Sequence, residues 1–318
     1  MSRTEGMGRG AGWGEMRPPA LQLRAARDAA RGPLGRLGPY RLERLFAIGG
    51  QSELYLATAR GEGEPLYLKR CRADRSGPAL RALLLQEGRI LKALSPSMIP
   101  APTVIYQEPP EPALIFPYAP TVTLHRLLQE GPVSGGEGLA LIAQLLSQLA
   151  SLHAGEGLEQ LCPDQELVPW VHGDLGAHNL IVGWTGRLQL IDLGCARPCL
   201  PPRALDQYLH ALHPALRGEL KQLSSARAAE VSLRGGGHAG LSTELARLKS
   251  LGDLLLRGLP EAQRALQISL DTSASRSAGA AGAPLRQLAD RFSRAESIGP
   301  PRLARRVQPM ISRALRFS

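Results

Sequence analysis

The run His172-Gly173-Asp174-Leu175-Gly176-Ala177-His178-Asn179 is followed, after two short apolar segments, by Ile191-Asp192-Leu193-Gly194. An Asp, an Asn five positions later and a second Asp before a Gly make a set with specific chemistry. One carboxylate accepts or orients the proton of an attacking hydroxyl. An Asn and a second carboxylate hold Mg²⁺ against phosphate oxygens. Asp174, Asn179 and Asp192 offer those three groups.

The flanks support the reading. Trp170-Val171 leads in. Leu180-Ile181-Val182 and Leu188-Gln189-Leu190-Ile191 read as two strands around the turn Gly183-Trp184-Thr185-Gly186. Such a hairpin delivers Asn179 at one end and Asp192 at the other. Two chance turns would not carry this spacing and a hairpin together.

Further out, Ile48-Gly49-Gly50-Gln51-Ser52 lies between two strand-like runs. A turn of small residues lets backbone amides approach phosphate closely. Lys69 sits on the next strand. Glu87 sits on the apolar stripe of a predicted helix, between Leu84 and Leu91. A charge on such a stripe needs a partner, and Lys69 is expected to be that partner, with both groups at a cleft rather than in a sealed core.

Strands are expected at Tyr40–Ile48, Glu53–Thr58, Leu66–Arg70, Thr103–Tyr106 and Leu114–Phe116, and a helix over Pro78–Leu94. Leu139, Ile142, Leu145, Leu146, Leu149 and Leu152 recur at helical steps and predict a long buried helix ending near His153, itself read as structural. Helices follow at Asp206–His213, Ser242–Leu259 and Leu285–Ser297, with Asp271–Pro284 as a Ser/Ala/Gly linker. Residues 1–38, basic and rich in Gly, Ala and Pro, are expected to be disordered apart from a possible helix over Leu21–Arg31.

The chain has 318 residues and 43% hydrophobic content, enough for one two-lobed domain or two small ones. No apolar run reaches membrane-spanning length, and the N-terminus has no apolar segment of the secretory kind. Cys71, Cys162, Cys195 and Cys199 are few and irregularly spaced, so they read as isolated thiols of a cytoplasmic protein. The formal charge of +10 is compatible with nucleic acid. Arg is simply the favoured basic residue here, however, and nucleic-acid binding through the Arg-rich ends is not the preferred reading.

From Tyr40 to about His213 the sequence resembles a protein-kinase-like domain. Glu53-Leu54-Tyr55-Leu56-Ala57 resembles the strand after the Gly-rich loop of bacterial Ser/Thr kinases. Leu66-Tyr67-Leu68-Lys69 stands where such kinases carry Val-Ala-Ile-Lys, and Phe116-Pro117-Tyr118-Ala119 falls at the hinge. The resemblance implies an α+β, bilobal fold: a small antiparallel β N-lobe with one helix over 39–116, a mainly helical C-lobe over 117–260, and a linker with a helical basic tail over 261–318. It implies Asp174 as base, Lys69 and Glu87 as the phosphate-positioning pair, and Asn179 and Asp192 as Mg²⁺ ligands. ATP would be held by Gly49, Gly50, Ser52, Lys69, Phe116 and Tyr118.

The departures are equally specific. Ala47 and Ser52 replace two loop glycines, and Tyr67 stands where a small Ala lines the adenine. Gly173 replaces an Arg that clamps phosphorylated activation loops, and Gly176 replaces a Lys two residues after the base. Only thirteen residues separate Asp192 from Asp206, with no Ala-Pro-Glu motif. His-Gly-Asp-Leu and a Gly-Gly-x-Ser loop are typical of aminoglycoside and choline phosphotransferases. The short path into Ala204-Leu205-Asp206-Gln207-Tyr208-Leu209 resembles the compact kinase of the KEOPS complex. The expected activity is ATP-dependent phosphotransfer by an atypical serine/threonine protein kinase, its phosphoacceptor unidentified. The alternatives are a small-molecule kinase and a nucleotide-binding pseudokinase scaffold.

Overall fold

The computed structural model describes residues 35–59, 63–74, 77–94, 104–106, 111–162, 168–200, 202–212, 237–275, 280–295 and 299–316. The expected Leu21–Arg31 helix lies outside them. The protein is α+β: a curled antiparallel sheet comes first and a helical part follows.

Six strands form the sheet in the order β1-β2-β3-β4-β6-β5, with β1 Gly35–Leu37, β2 Tyr40–Ile48, β3 Ser52–Ala59, β4 Leu66–Cys71, β5 Val104–Tyr106 and β6 Ala113–Pro117. β2 and β3 slip register between Leu42 and Arg44 and again between Leu45 and Ala47. Such irregularities increase twist, and the sheet curls. Strand β1 corrects the expectation that order begins near Tyr40: Gly35–Leu37 pairs with Tyr40–Leu42, and Leu37 is buried.

Alternation gives the sheet two faces. Tyr55, Leu68 and Ile115 lie in register on one side and join Leu37, Tyr40 and Leu42 in a separate apolar cluster. Leu54, Lys69 and Leu114 lie in register on the other side. Against that face packs helix α1, Pro78–Ala93. A Cβ at Gly88 would stand 2.5 Å from Leu114 Cδ2 and 3.0 Å from Ile105 Cδ1. Glycine therefore lets the helix close onto the sheet one residue after Glu87.

Beyond the sheet come β7 Thr121–Thr123, α2 Leu124–Gln129 and α3 Gly135–Ala154. Ser134 and Glu137 cap α3 reciprocally through each other's backbone N–H, and Gly155, at φ 68°, ends it. The buried face of α3 is mainly apolar, and Gln144 and Gln148 lie one turn apart on the side that meets β10. Strands β8 Trp170–Val171, β9 Leu180–Gly183, β10 Leu188–Leu190 and β11 Arg197–Pro198 follow. A small sheet runs β10-β9-β7, and β8 pairs with β11. Strand β10 is an edge of its sheet, and the two glutamines satisfy it. Gln148 accepts from Leu190 N at 2.8 Å and donates to Leu188 O at 3.0 Å, while Gln144 accepts from Leu188 N at 3.0 Å.

Helices α4 Pro202–Leu212, α5 Gly237–Leu255, α6 Pro260–Ser275, α7 Gly282–Ala295 and α8 Gly299–Arg316 complete the described fold. Three boundaries differ from expectation. Helix α4 begins before Asp206, α5 begins before Ser242 and ends before Leu259, and helix occupies most of the expected Asp271–Pro284 linker. The small residues that imitate a linker are packing residues: Ser273 and Ala281 are fully buried, and a Cβ at Gly282 would meet Ala150 O of α3 at 2.4 Å. Leu285, Leu288 and Phe292 of α7 and Leu303, Val307 and Ile311 of α8 join the main core around α3. Arg306 donates to the carbonyls of Leu127, Gly131 and Pro132 and pairs with Glu137, so part of the basic C-terminus serves the fold itself. Among the described residues, no helix is long and apolar enough to cross a membrane.

Candidate functional site

The sequence-predicted residues gather in two clusters. The first is centred on Lys69. Its ammonium donates to Glu87 Oε1 at 2.7 Å, to Glu87 Oε2 at 2.8 Å and to Asp192 Oδ1 at 2.8 Å. An ammonium has three N–H groups, so all are engaged. Strand β4, helix α1 and the segment after β10 thus meet at one nitrogen. Glu87 is 3% exposed and Asp192 48% exposed. This corrects the expectation that both members of the Lys69–Glu87 pair lie at an open cleft: the Glu87 end is sealed, and only the Asp192 side opens outward.

The electrostatics follow that geometry. Burial disfavours the Lys69 charge, but Asp192 and Glu87 outweigh it and hold its pKa above the ordinary value. Burial raises the Glu87 carboxyl beyond what Lys69 and a backbone bond from Leu193 recover. Lys69 holds Asp192 below its ordinary value against a smaller effect of burial. The two acids therefore share one cation unequally. Asp192 also has φ 62°, the sole positive value among described non-glycine residues. A non-Gly residue in this region is uncommon, and such strain concentrates at functional positions.

The second cluster is the loop from His172 to Asn179. Asn179 Nδ2 donates to Asp174 O at 2.8 Å and Asp174 Oδ2 at 3.1 Å. Its amide orientation is thereby set, leaving Oδ1 as an acceptor. Ile191 N donates to Asn179 O at 3.0 Å, which ties this loop to the residue before Asp192. His172 accepts from Asp174 N through Nδ1 and donates through Nε2 to Ile191 O at 2.9 Å. The spacing in sequence thus becomes a hydrogen-bonded unit in space.

Two groups that sequence reasoning did not find, Glu244 and Arg247, complete this loop. Glu244 of α5 is 2% exposed; it accepts from Gly173 N at 3.0 Å and bonds His153 Nε2 at 2.7 Å. Burial would raise its carboxyl, yet His153 and the Gly173 N–H together hold it below the ordinary 4.5. His153 is structural as expected, but its partner Glu244 also holds the His172–Asn179 loop. Arg247, one turn further on α5, donates to Gly173 O at 3.0 Å and stands 3.6 Å from Asp174 Oδ1. Gly173 itself has φ 80°, and a Cβ there would sit 2.3 Å from Cys195 O. Backbone conformation and close approach both demand glycine at this position.

At the Gly-rich turn, Gly49 N donates to Ser52 O at 2.8 Å and Arg72 N to Gln51 O at 3.0 Å. Ser52 pairs with Cys71 and Leu54 with Lys69, so the turn lies just beyond Lys69 along the sheet. Neither glycine has a positive φ. A Cβ at Gly50 would meet nothing within 4 Å, and one at Gly49 would make only ordinary contacts. Their smallness answers no need of the fold. Tyr67 stacks with Phe46 at 5.0 Å and with Tyr118 at 5.1 Å between centroids. Phe116 pairs with Tyr67 across the sheet.

Taken together, the described site offers a carboxylate fixed by an amide, a lysine bridging two carboxylates, oxygen donors at Asn179 and Asp192, an open glycine turn and a row of aromatic rings. No known protein-family profile matches the chain. Over 171 residues, 52% of its length, the chain is 25% identical to the Myxococcus xanthus serine/threonine-protein kinase pkn2, and it spans only 19% of that protein. The chain is thus distantly similar, over half its length, to a serine/threonine protein kinase.

Proposed function

We propose that this protein is an ATP- and Mg²⁺-dependent phosphotransferase with a bilobal, protein-kinase-like fold, acting as an atypical serine/threonine protein kinase. The observation that carries the reading is the bridge from Glu87 through Lys69 to Asp192. It joins sheet, helix and post-hairpin segment beside the Asp174–Asn179 pair, as phosphoryl transfer requires. The distant similarity to a kinase favours the same reading.

The chain's residues have clear parts in it. Asp174 Oδ2 is held by Asn179, leaving Oδ1 to accept the proton of the acceptor hydroxyl. Glu87 positions the Lys69 ammonium; when nucleotide arrives, the Lys69 N–H now on Asp192 can turn to a phosphate oxygen. Gly49 and Gly50 leave backbone exposed for close approach of phosphate. Tyr67 lies two residues from Lys69 on the same strand face, about 7 Å away. A nucleobase would stack on the rings of Tyr67, Phe46 and Tyr118 rather than lie beside a small side chain.

The residues fit a hard cation. Asn179 Oδ1 and the half-exposed Asp192 carboxylate are oxygen donors, and such a small set suits Mg²⁺, which retains water and phosphate ligands. When bound, Mg²⁺ would neutralise phosphate charge.

One observation favours the small-molecule alternative. Between Asp192 and α4 only residues 193–201 intervene, and β11 within them pairs back onto β8. That leaves little platform for a peptide. Incubation with γ-labelled ATP and Mg²⁺, once with dephosphorylated casein and once with an aminoglycoside or choline, separates the readings. Label on protein is the expected result. Label on the small molecule moves the chain to the other class, and Mg²⁺-ATP binding without transfer makes it a pseudokinase.

A further inference from the structure

The loop from His172 to Asn179 contains no Lys or Arg. Lys69 serves the nucleotide end, where two of its N–H groups stay on Glu87 and the one on Asp192 can turn to the donor phosphates. Phosphoryl transfer nevertheless spreads negative charge over the transferred group between donor and acceptor. The acceptor side of this site therefore needs a cation from elsewhere.

Arg247 is placed for it. Its Nη1 lies 3.6 Å from Asp174 Oδ1, too far for a hydrogen bond but adjacent to the oxygen that Asn179 does not hold. The same nitrogen is anchored on Gly173 O at 3.0 Å. The side chain is 32% exposed, whereas Glu244, one turn earlier on the same helix, is 2% exposed. Glu244 already ties α5 to Gly173 through a buried bond. A second tie needs no charge and no exposure; Arg247 has both. A guanidinium is planar, permanently charged and suited to phosphate oxygens.

We infer that Arg247 is a catalytic residue, supplying from helix α5 the cation that the loop lacks and contacting the transferred phosphoryl group. This inference rests on the phosphotransfer reading. In the step concerned, the acceptor oxygen forms a bond to the γ-phosphorus and the bond from that phosphorus to the β-bridging oxygen breaks. Its electron pair leaves with ADP, and the hydroxyl proton passes to Asp174 Oδ1. Arg247 faces the phosphoryl oxygens while this happens.

The test compares wild type, Arg247→Ala, Arg247→Lys and the double variant Arg247→Ala/Gly176→Lys. Gly176 has extended backbone at φ −170°. The nearest atoms to a side chain there belong to the ring of His178, from 2.7 Å, and that ring is 53% exposed, 3.6 Å from Asp174 Oδ2, so it can turn outward. ADP formation with Mg²⁺-ATP should fall about 10²-fold in kcat for Arg247→Ala, with ATP affinity within about threefold. Arg247→Lys should retain more activity than Ala, and the double variant should recover at least tenfold over Arg247→Ala. Binding gives an independent readout. Wild type should bind ADP with aluminium fluoride and Mg²⁺ more tightly than ADP with Mg²⁺, and Arg247→Ala should lose that increment alone. A purely structural tie would lower thermal stability and both affinities together, with no rescue from position 176, and that pattern overturns the inference. Wild type that turns over ATP while Arg247→Ala matches it also overturns the inference but spares the phosphotransfer reading. Wild type that neither forms ADP nor distinguishes the two complexes overturns both.

Discussion

The Lys69 cluster and the Asp174 loop lie close together but are held by opposite means. Around Lys69 the fixing forces are charges: one ammonium, two carboxylates and three bonds no longer than 2.8 Å. At the Asp174 loop the fixing groups grip backbone. His172 takes Asp174 N, Asn179 takes Asp174 O, Glu244 takes Gly173 N and Arg247 takes Gly173 O. A charge cluster can exchange partners when a polyanion arrives. A backbone grip holds one conformation. On the proposed reading, the nucleotide end is thus built to rearrange and the acceptor end to stay still.

The largest structural effect should come from the rigid side. Gly173→Ala sets a Cβ 2.3 Å from Cys195 O at φ 80°, and neither atom has room to move. The combined left-handed and overpacking costs come to about 3 kcal/mol. Denaturant unfolding checks this; a loss under 1 kcal/mol would mean that the loop yields.

Next comes the support beneath both regions. Gln148→Leu leaves Leu188 O and Leu190 N unpaired inside the core. About 2–3 kcal/mol should be lost, and amide exchange in β10 should accelerate, because the strand leading to Asp192 loses its cover.

On the adaptable side, Gly88→Val forces α1 off Leu114. Overpacking costs about 1–3 kcal/mol, and activity should fall further than stability because Glu87 is carried away from Lys69. Unchanged ATP turnover in a destabilised variant would show that the Lys69–Glu87 bond is dispensable.

Acid should act on the rigid side through Glu244. Its folded-state pKa lies below the ordinary 4.5, so its contribution is complete above that value and is lost as pH falls through the lower, folded one. Glu244→Gln should therefore show a shallower decline of Tm below pH 4.5 than wild type. Parallel profiles would remove Glu244 from the account. The smallest effect is expected at Tyr208→Phe, which deletes the 2.8 Å bond from Gln86 to the Tyr208 hydroxyl. About 1 kcal/mol should go, with a modest fall in turnover, since Gln86 neighbours Glu87 on α1.

The same contrast explains what could be read from residues alone. Lys69, Glu87, Asp174, Asn179 and Asp192 were legible because each is a polar group at a position where pattern demands another kind, or stands at a chemical spacing. Strand β2 and helix α1 were legible because apolar periodicity marked them to within a residue. Glu244 and Arg247 were not, because they bind the loop through backbone atoms of Gly173, 71 and 74 positions away, and backbone leaves no mark in sequence. Gln144 and Gln148 left a signal that went unused: two amides one turn apart on an apolar helix face. Gly173 was read as a lost Arg, whereas its geometry shows a required glycine. The Ser/Ala/Gly run after Asp271 imitated a linker because small residues serve close helix packing and flexible chain equally well.

The most direct test sets Lys69→Met against Asp174→Asn, with Mg²⁺-ATP affinity and phosphotransfer measured on the same preparations. The account predicts a split. Lys69→Met should weaken ATP binding at least tenfold, because the nucleotide end loses the cation that bridges Glu87 and Asp192. Asp174→Asn should bind ATP like wild type and lose about 10²–10⁴-fold in turnover. If the two variants lose binding and turnover in parallel, or if Asp174→Asn transfers phosphate normally, the two clusters are not the two ends of one phosphotransfer site.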